Sequence, residues 1–289
     1  MKWGANTLLF SVILFFIFSC KKQNEPVFQS VDNSPTNPGN PTNAIPLVSF
    51  PENYLKNNNY YELAYSRSRA IPVWVAWHLQ SEDKGSTPRQ DDFRADTDLP
   101  AGWYQVQANS YTGSGFDRGH NCPSADRTSS IAANSSTFLM TNMIPQAPYL
   151  NQGPWEGLEA FIRDTLLGTT NEAYIVMGNF GQGGYNANGL FNTINGGNIT
   201  VPAKIWKAVL VLSKGNGDLS RINRFTTVLT VDMPNDNSLY SLNAKSAWRN
   251  YLVTINQLET EANAAGVPLN LFQHVADSVR PYLKSKLYQ

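Results

Sequence analysis

The sequence is poor in charge and in cysteine, and each shortage excludes a class of protein. Only 15% of its 289 residues are charged, and 22 basic side chains balance 22 acidic ones. A polybasic tail is absent, so any contact with a polyanion must come from a few locally placed arginines and lysines. The two cysteines, Cys20 and Cys122, are too few for a disulfide scaffold. Because 42% of the residues are hydrophobic and 12% aromatic, global disorder is also excluded.

Long apolar runs are equally scarce, and the one at residues 8–18 lies near the N-terminus. Its eleven residues are too few for a helix that crosses a bilayer, which takes roughly 20. With Lys2 in front, the run is typical of a secretory signal. Cys20 follows the small residue Ser19, which resembles a lipobox. We therefore predict a lipoprotein signal peptide at residues 1–19 and an exported protein, on the periplasmic face or the cell surface, anchored in the membrane only through a lipidated Cys20. A plain signal peptide is the alternative.

The segment that follows is rich in asparagine and proline and poor in large apolar side chains. Such a composition is typical of a linker. We predict a tether at residues 20–46 and one domain at residues 47–289, since no repeat and no second linker interrupts the rest. If Cys20 is acylated, Cys122 has no partner and is expected to be a small buried side chain.

Patterns in the domain predict both strands and helices. Pro154, an apolar repeat at helical spacing and Gly168 predict one helix over residues 154–168. Further helical patterns cover residues 243–265 and 272–287. Because strands and helices do not alternate, we predict an α+β fold with a mixed or antiparallel central sheet flanked by helices. Strands are predicted from β-branched and aromatic runs at residues 73–79, 137–143, 173–177, 205–212 and 226–231.

Of the three histidines, His120 has the most informative surroundings. His78 and His274 fall in strand and helix patterns, where packing or surface roles are expected. His120 ends the run Gly113-Ser114-Gly115-Phe116-Asp117-Arg118-Gly119-His120. The early glycines allow a turn, and Gly119 leaves room for a ligand to approach the backbone. Downstream, Asn142, Asn151 and Glu159 add polar groups, although a helix cap explains Asn151 and a solvated helix face explains Glu159 equally well.

Together these segments resemble the DNA/RNA non-specific endonuclease family, which includes Serratia-type nucleases and mitochondrial endonuclease G and has a ββα-metal active site. The resemblance rests on F-D-R-G-H-N-C-P-S-A-D (116–126), T-F-L-M-T-N-M-I-P-Q (137–146) and L-N-Q-G-P-W-E-G-L-E (150–159). Weaker matches at 72–79 and 201–209 flank them. The three central segments occur in the family's order and spacing.

The resemblance implies a role for each residue. His120 is the implied general base, Asn151 the sole direct protein ligand of Mg²⁺, with Mn²⁺ as the alternative ion, and Glu159 the residue that holds metal-bound waters. Asn142 is expected to support the site by hydrogen bonding, and Arg118 to face the phosphate. A second arginine of the family corresponds to Arg89 or Arg94, and the spacing leaves that choice open.

The implied activity is a magnesium-dependent endonuclease that hydrolyses phosphodiester bonds of DNA and RNA without sequence or sugar specificity. Imidazole, with a pKa near 6.5, is a suitable base near neutral pH, and a neutral amide ligand leaves the charge of Mg²⁺ available to the phosphate. The family also leaves a homodimer open. Two rival readings are a non-catalytic lipoprotein that captures nucleic acid and a glycan-binding lipoprotein. The first keeps the fold, and the second is suggested by the 7 Trp and 13 Tyr residues.

Overall fold

The computed structural model describes residue 1 and residues 32–289, and its centre is a six-stranded antiparallel sheet. The strand order is β1-β2-β3-β6-β11-β12, with β3, β6 and β11 in the middle. These strands are β1 (Tyr54–Asn57), β2 (Glu62–Ser66), β3 (Ile71–Leu79), β6 (Asn171–Phe180), β11 (Lys204–Ser213) and β12 (Thr227–Pro234). Three antiparallel pairs lie outside the sheet: β4 (Asp117–His120) with β5 (Met143–Gln146), β7 (Gly184–Asn186) with β8 (Gly189–Phe191), and β9 (Thr193–Ile194) with β10 (Ile199–Thr200).

The helices are short. The α-helices are α1 (Ile131–Ser136), α2 (Pro148–Leu150), α3 (Glu156–Phe161), α4 (Asp218–Arg221), α5 (Ile255–Ala264) and α6 (Arg280–Lys284). The π-helical segment Asn151–Trp155, kinked at Gly153, joins α2 to α3, and a second one, Ile162–Leu167, continues from α3. Together they form one helical segment over residues 148–167. Single 3-10 turns lie at Ser81–Asp83, Ser124–Asp126, Met140–Asn142, Asn195–Gly197, Asn237–Leu239 and Ala247–Tyr251. In the part of the chain that the structure describes, no helix is long and apolar enough to cross a membrane.

The predicted α+β class is confirmed, and four of the predicted strands correspond to β3, β6, β11 and β12. The strand predicted at 137–143 is wrong. The Asn142 side chain donates to the backbone oxygens of Cys122 and Thr137, both at 2.9 Å, which folds this buried segment into a 3-10 turn. The helical patterns at the C-terminus are also only partly formed, because α5 and α6 cover ten and five residues of them.

Each face of the central sheet has its own apolar core. Trp77, Ile175 and Val209 point to the inner face, where they pack with Trp155 and Leu158 of the helical segment. Trp74 and Trp206 point to the outer face, where α5, α6 and residues near 271 cover them. Since side chains alternate along a strand, one set of strands supplies both cores. The inner core carries the helical segment and the β4–β5 pair.

Residues 32–46 are not a free tether, so the predicted boundary at residue 46 is wrong. Asn37 is 1% exposed, and its amide donates to the Tyr174 hydroxyl at 3.2 Å on the outer face. The Trp74 indole donates to the Thr42 hydroxyl at 2.7 Å, and Asp32 accepts from the backbone of Gly217 at 2.6 Å. Asparagine and proline here form hydrogen-bonded turns on the sheet, which composition alone does not distinguish from a linker. We call residues 32–46 the N-terminal arm; the predicted signal peptide and Cys20 lie outside the described residues.

Candidate active site

The β4–β5 pair and the helical segment form a ββα unit on the inner face. His120 is the last residue of β4 and pairs with Met143, the first residue of β5. The helical segment begins at Pro148, and Asn151 opens its first π-helical turn. Glu159 lies in the same segment, within α3. Residues far apart in the sequence are therefore held by one compact motif.

The motif borders a cavity of about 360 Å³. His120, Arg118, Asn151 and Glu159 all line it, so the structure brings together four of the five residues singled out in the sequence. A neighbouring cavity of about 420 Å³ shares Arg118 and Asn151 with the first and extends towards Phe93. The remaining lining residues of the first cavity are Arg89, Pro123, Ser124, Ala125, Gln152, Glu156 and Arg163.

His120 is held by aromatic rings and presents one free nitrogen. Phe93 and Phe138 contact its ring edge-on, with centroids 5.6 and 5.0 Å away. Its Nε2 is buried and has no hydrogen-bond partner in the part of the chain that the structure describes. Burial, together with the positive charges of Arg89 and Arg118, lowers the pKa of His120 to about 3, although a hydrogen bond to the backbone of Arg118 opposes the shift. The imidazole is therefore neutral at physiological pH and has a lone pair that can accept a proton. In this environment it is a weaker base than the free imidazole, with a pKa near 6.5, that was expected from the sequence.

Asn151 is oriented by a neighbouring carboxylate. Its Nδ2 donates to Asp117 Oδ2 at 2.8 Å, and the amide of Gln152 donates to the same oxygen at 2.8 Å. Among the described residues the amide oxygen of Asn151 has no such partner, and the residue lines both cavities. Asp117 thus fixes the amide so that its oxygen, a ligand that Mg²⁺ accepts, is the unpaired end.

Asn142 lies behind the cavity and not in its lining. It is 0% exposed, and its side chain bonds to both the backbone nitrogen and the backbone oxygen of Cys122. These contacts secure the chain immediately after His120. Cys122 itself is fully buried, and burial raises the pKa of its thiol to about 12, so the expected structural role fits its surroundings.

The sequence predicts that Gly119 leaves room for a ligand beside the backbone, and this prediction is wrong. A Cβ atom on this glycine would lie 2.3 Å from Oε1 and 2.6 Å from Cβ of Gln146 on the paired strand. The space beside it is filled by that side chain, which is 0% exposed. The glycine of the motif is therefore required for close packing of β4 on β5.

The structure separates the two candidate upstream arginines. Arg89 lines both cavities, and its guanidinium lies over the Phe138 ring, 4.8 Å from the centroid. Each arginine pairs with a nearby aspartate, Arg89 with Asp91 at 2.6 Å and Arg94 with Asp92 at 2.9 Å. Arg94 lines neither cavity, so Arg89 is the candidate that the fold places beside His120.

Sequence reasoning missed Arg163, which also lines the cavity. It pairs with Asp126, with 3.0 Å between Nη1 and Oδ1, and Trp77 donates to the other oxygen of that carboxylate at 2.9 Å. Arg163 follows Glu159 by four residues on one helical face, so this spacing was the available signal. With Arg89 and Arg118 it gives the cavity three cationic side chains against the two carboxylates of Glu156 and Glu159, an excess of positive charge that suits an anionic ligand.

Comparison with known proteins identifies the family to which the chain belongs. The model of the DNA/RNA non-specific endonuclease family matches residues 39–278. The chain belongs to this family. It is 39% identical over 249 residues to a nuclease of Nostoc sp. (strain PCC 7120), covering 86% of this chain and 84% of that protein. It is 29% identical over 220 residues to mitochondrial endonuclease G of Homo sapiens, covering 74% and 69%.

A solved structure agrees in fold. The crystal structure of an EndoG/EndoGI complex superposes with a TM-score of 0.67 at 22% identity, covering 87% of this chain and 94% of that one. The expected ββα-metal nuclease fold is confirmed. The protein is accordingly a non-specific nuclease, a phosphodiester hydrolase, and the nuclease family implies DNA or RNA as substrates.

The family is metal-dependent, and the described residues of this nuclease contain one triad with the spacing of a metal site. The ligand atoms of His78, Glu172 and Asp218 all lie within 4.8 Å of one another. Both carboxylates, however, already pair with the Arg221 guanidinium. The triad also lies on the outer face of the sheet, with the His78 ring 4.9 Å from that of Tyr174. The triad and the ββα unit therefore lie on opposite faces of the sheet, and the Arg221 guanidinium already supplies the positive charge that balances the two carboxylates.

Proposed function

We propose that this nuclease cleaves DNA and RNA endonucleolytically, with Mg²⁺ bound at Asn151 and His120 as the general base. The observation that carries the proposal is the unpartnered Nε2 of a neutral His120 beside a cavity that also contains Asn151, Glu159 and three arginines. A base, a candidate metal ligand and phosphate-binding groups therefore face one space, as phosphodiester hydrolysis requires.

The chain's own residues divide the chemistry among them. His120 Nε2 accepts the proton of the water that attacks phosphorus. Arg118 and Arg89 donate to the phosphate oxygens, and their charge favours the transition state, in which negative charge is transferred to the leaving oxygen. Asn142 contributes by holding the backbone that follows His120.

The residues of the site fit a magnesium ion. Asn151 offers an oxygen whose amide partner is already bound to Asp117, and Glu159 offers a carboxylate in the same cavity. Mg²⁺ retains several of its waters in proteins and binds few side chains directly. Asn151 would hold the ion, and Glu159 would accept hydrogen bonds from its water shell. When bound, the ion supplies Lewis-acid stabilisation of the phosphate and the leaving oxygen.

Low sequence preference follows from the type of contact. All the cationic side chains of the cavity are suited to phosphate oxygens, which carry no sequence information. The adjoining cavity near Phe93 gives the polymer a path beyond the cleaved bond. Because no residue of the site is committed to a 2′-hydroxyl, we expect both DNA and RNA to be cut.

The test is incubation of the purified protein with supercoiled plasmid and with RNA, each with Mg²⁺ and with excess EDTA. We expect magnesium-dependent degradation of both, without discrete fragments. His120→Ala should lose at least ~10²-fold in rate, the low end for removal of a general base. Binding without cleavage, by protein shown to be folded, would favour the capture lipoprotein instead.

We also propose that Cys20 is acylated and anchors the exported nuclease to a membrane, and that the protein can form a homodimer. The support for anchoring is the signal-like run followed by Ser19 and Cys20. Cys20→Ser should release the nuclease from the membrane fraction with its specific activity unchanged. Retention of the variant in membranes would contradict anchoring, and light scattering of the released protein would report its oligomeric state.

A further inference from the structure

Lys207 is a lysine buried in the inner core. It lies in the middle of β11, paired with Met177 on one side and Val231 on the other, and its side chain is 1% exposed. Its Nζ lies 4.7 Å from the centroid of the Trp155 ring and 5.5 Å from that of Trp77. Isolating an ammonium group from water costs several kcal/mol, so an apolar residue would serve the core better.

The ammonium group has one anionic partner, Glu159. Lys207 Nζ donates to Glu159 Oε1 at 3.2 Å, and this is its only hydrogen bond among the described residues. Arg163, the other nearby cation, is bonded to Asp126. Lys207 is therefore the cation that binds the Glu159 carboxylate directly.

The pairing leaves the two oxygens of Glu159 with different surroundings. Oε1 is bound from the core side by Lys207, whereas Oε2 has no hydrogen-bond partner among the described residues. The side chain is 14% exposed and lines the cavity with His120 and Asn151. A carboxylate that is fixed through Oε1 and has Oε2 unpaired is suited to accept hydrogen bonds from a hydrated cation.

We propose that Lys207 is the positioning residue for Glu159, which it holds with Oε2 directed into the cavity for the water shell of the metal ion. The inference rests on the proposed function, because it assigns Glu159 to that shell. Lys207 contacts neither substrate nor metal and acts only through Glu159.

The charges around Glu159 show what the loss of Lys207 would do. Burial raises the pKa of Glu159, the charges of Lys207 and Arg163 oppose that rise, and Asp126 adds to it. Glu156, on the same helix, also lines the cavity. Without Lys207, the rise in the pKa of Glu159 that burial and the charge of Asp126 cause would be opposed only by the charge of Arg163. Protonation of Glu159 near neutral pH would then remove the acceptor that the cation needs.

The test measures Mg²⁺ binding to metal-free protein by titration calorimetry at pH 6.5, 7.5 and 8.5. Lys207→Met, which replaces the ammonium by an apolar group of similar shape, should weaken binding about tenfold at the lowest pH, the range for a residue that supports a metal ligand. The loss should shrink as pH rises. In a Glu159→Gln background the same change should alter Mg²⁺ affinity less than about twofold, since the residues act as one unit.

Folding is checked by near-UV circular dichroism and urea unfolding. If Lys207→Met does not fold, Lys207→Gln is the second neutral variant, and the double variant with Glu159→Gln removes the unpaired charge. Wild-type affinity at every pH in folded Lys207→Met, or additive losses in the double variant, would overturn the positioning role. Failure of the wild type to bind Mg²⁺ would overturn the proposed function as well, so the two failures are distinguishable.

Discussion

The guanidinium carbon of Arg118 lies 3.7 Å from the centroid of the Phe93 ring. The same ring contacts His120 edge-on at 5.6 Å and Phe138 edge-on at 4.9 Å, while Arg89 covers Phe138. Two phenylalanines thus contact the proposed base and the two arginines proposed to bind phosphate. None of the motifs in the sequence indicates this role for Phe93.

Phe93→Leu should lower kcat/KM by about three- to tenfold, with most of the effect in KM, because Arg118 loses the face against which it is ordered. Phe225→Leu is the matched control, since Arg224 lies 4.7 Å from the Phe225 centroid on an exposed part of the surface. Steady-state kinetics on an oligonucleotide would measure both. Equal kinetic effects of the two substitutions would contradict the assignment.

The pH profile should reflect the lowered pKa of His120. A free imidazole is protonated as the pH falls through 6.5 and then can no longer act as a base. Here the pKa of His120 is lowered, so protonation is expected only at much lower pH. The kcat/KM at constant Mg²⁺ should therefore show no decline centred near 6.5 between pH 8 and pH 5. Removing one cation by Arg89→Gln should move the acidic limb upwards. A wild-type limb with its midpoint near 6.5 is the result that would refute the prediction.

Asp117→Ala should weaken Mg²⁺ binding, because Asp117 orients the amide of Asn151. With its Nδ2 partner gone, the Asn151 amide can rotate, and we expect the Mg²⁺ concentration for half-maximal activity to rise by about tenfold. Gln152→Ala removes the other donor to the same carboxylate and should leave the midpoint within about threefold of wild type. A magnesium titration of all three proteins checks this. An unchanged midpoint in Asp117→Ala would show that the hydrogen bond does not orient the amide.

Tyr174→Phe should release the N-terminal arm. The hydroxyl accepts from the backbone of Asn33 and the amide of Asn37, and it bonds to Asp218. Removing it leaves buried polar groups unpaired, so unfolding free energy should fall by about 1–3 kcal/mol. Proteolysis near residues 32–40 should accelerate, with kcat unchanged. Tyr282→Phe, on a side chain that is 56% exposed, is the control. Equal proteolysis of both variants would contradict the role of the Tyr174 hydroxyl in holding the N-terminal arm.

The central strands and the positions of His120, Arg118, Asn151 and Glu159 could be predicted because they depend on local patterns and on a specific motif. Lys207 and Phe93 could not, since their roles arise from contacts between distant segments. A lysine in an apolar strand pattern is equally compatible with an exposed edge. The packing of the N-terminal arm is not predicted for the same reason, because partners such as Tyr174 and Gly217 are more than a hundred residues away in the chain.

The arm and the active site lie on opposite faces of one sheet. If Cys20 is acylated, the nuclease is attached to the membrane through its N-terminus. After Cys20, the described part of the chain begins at Asp32, which is hydrogen-bonded on the outer face. An anchor on that side would lie across the sheet from the catalytic cavity, so long polymers would reach the cavity from the face opposite the attachment point.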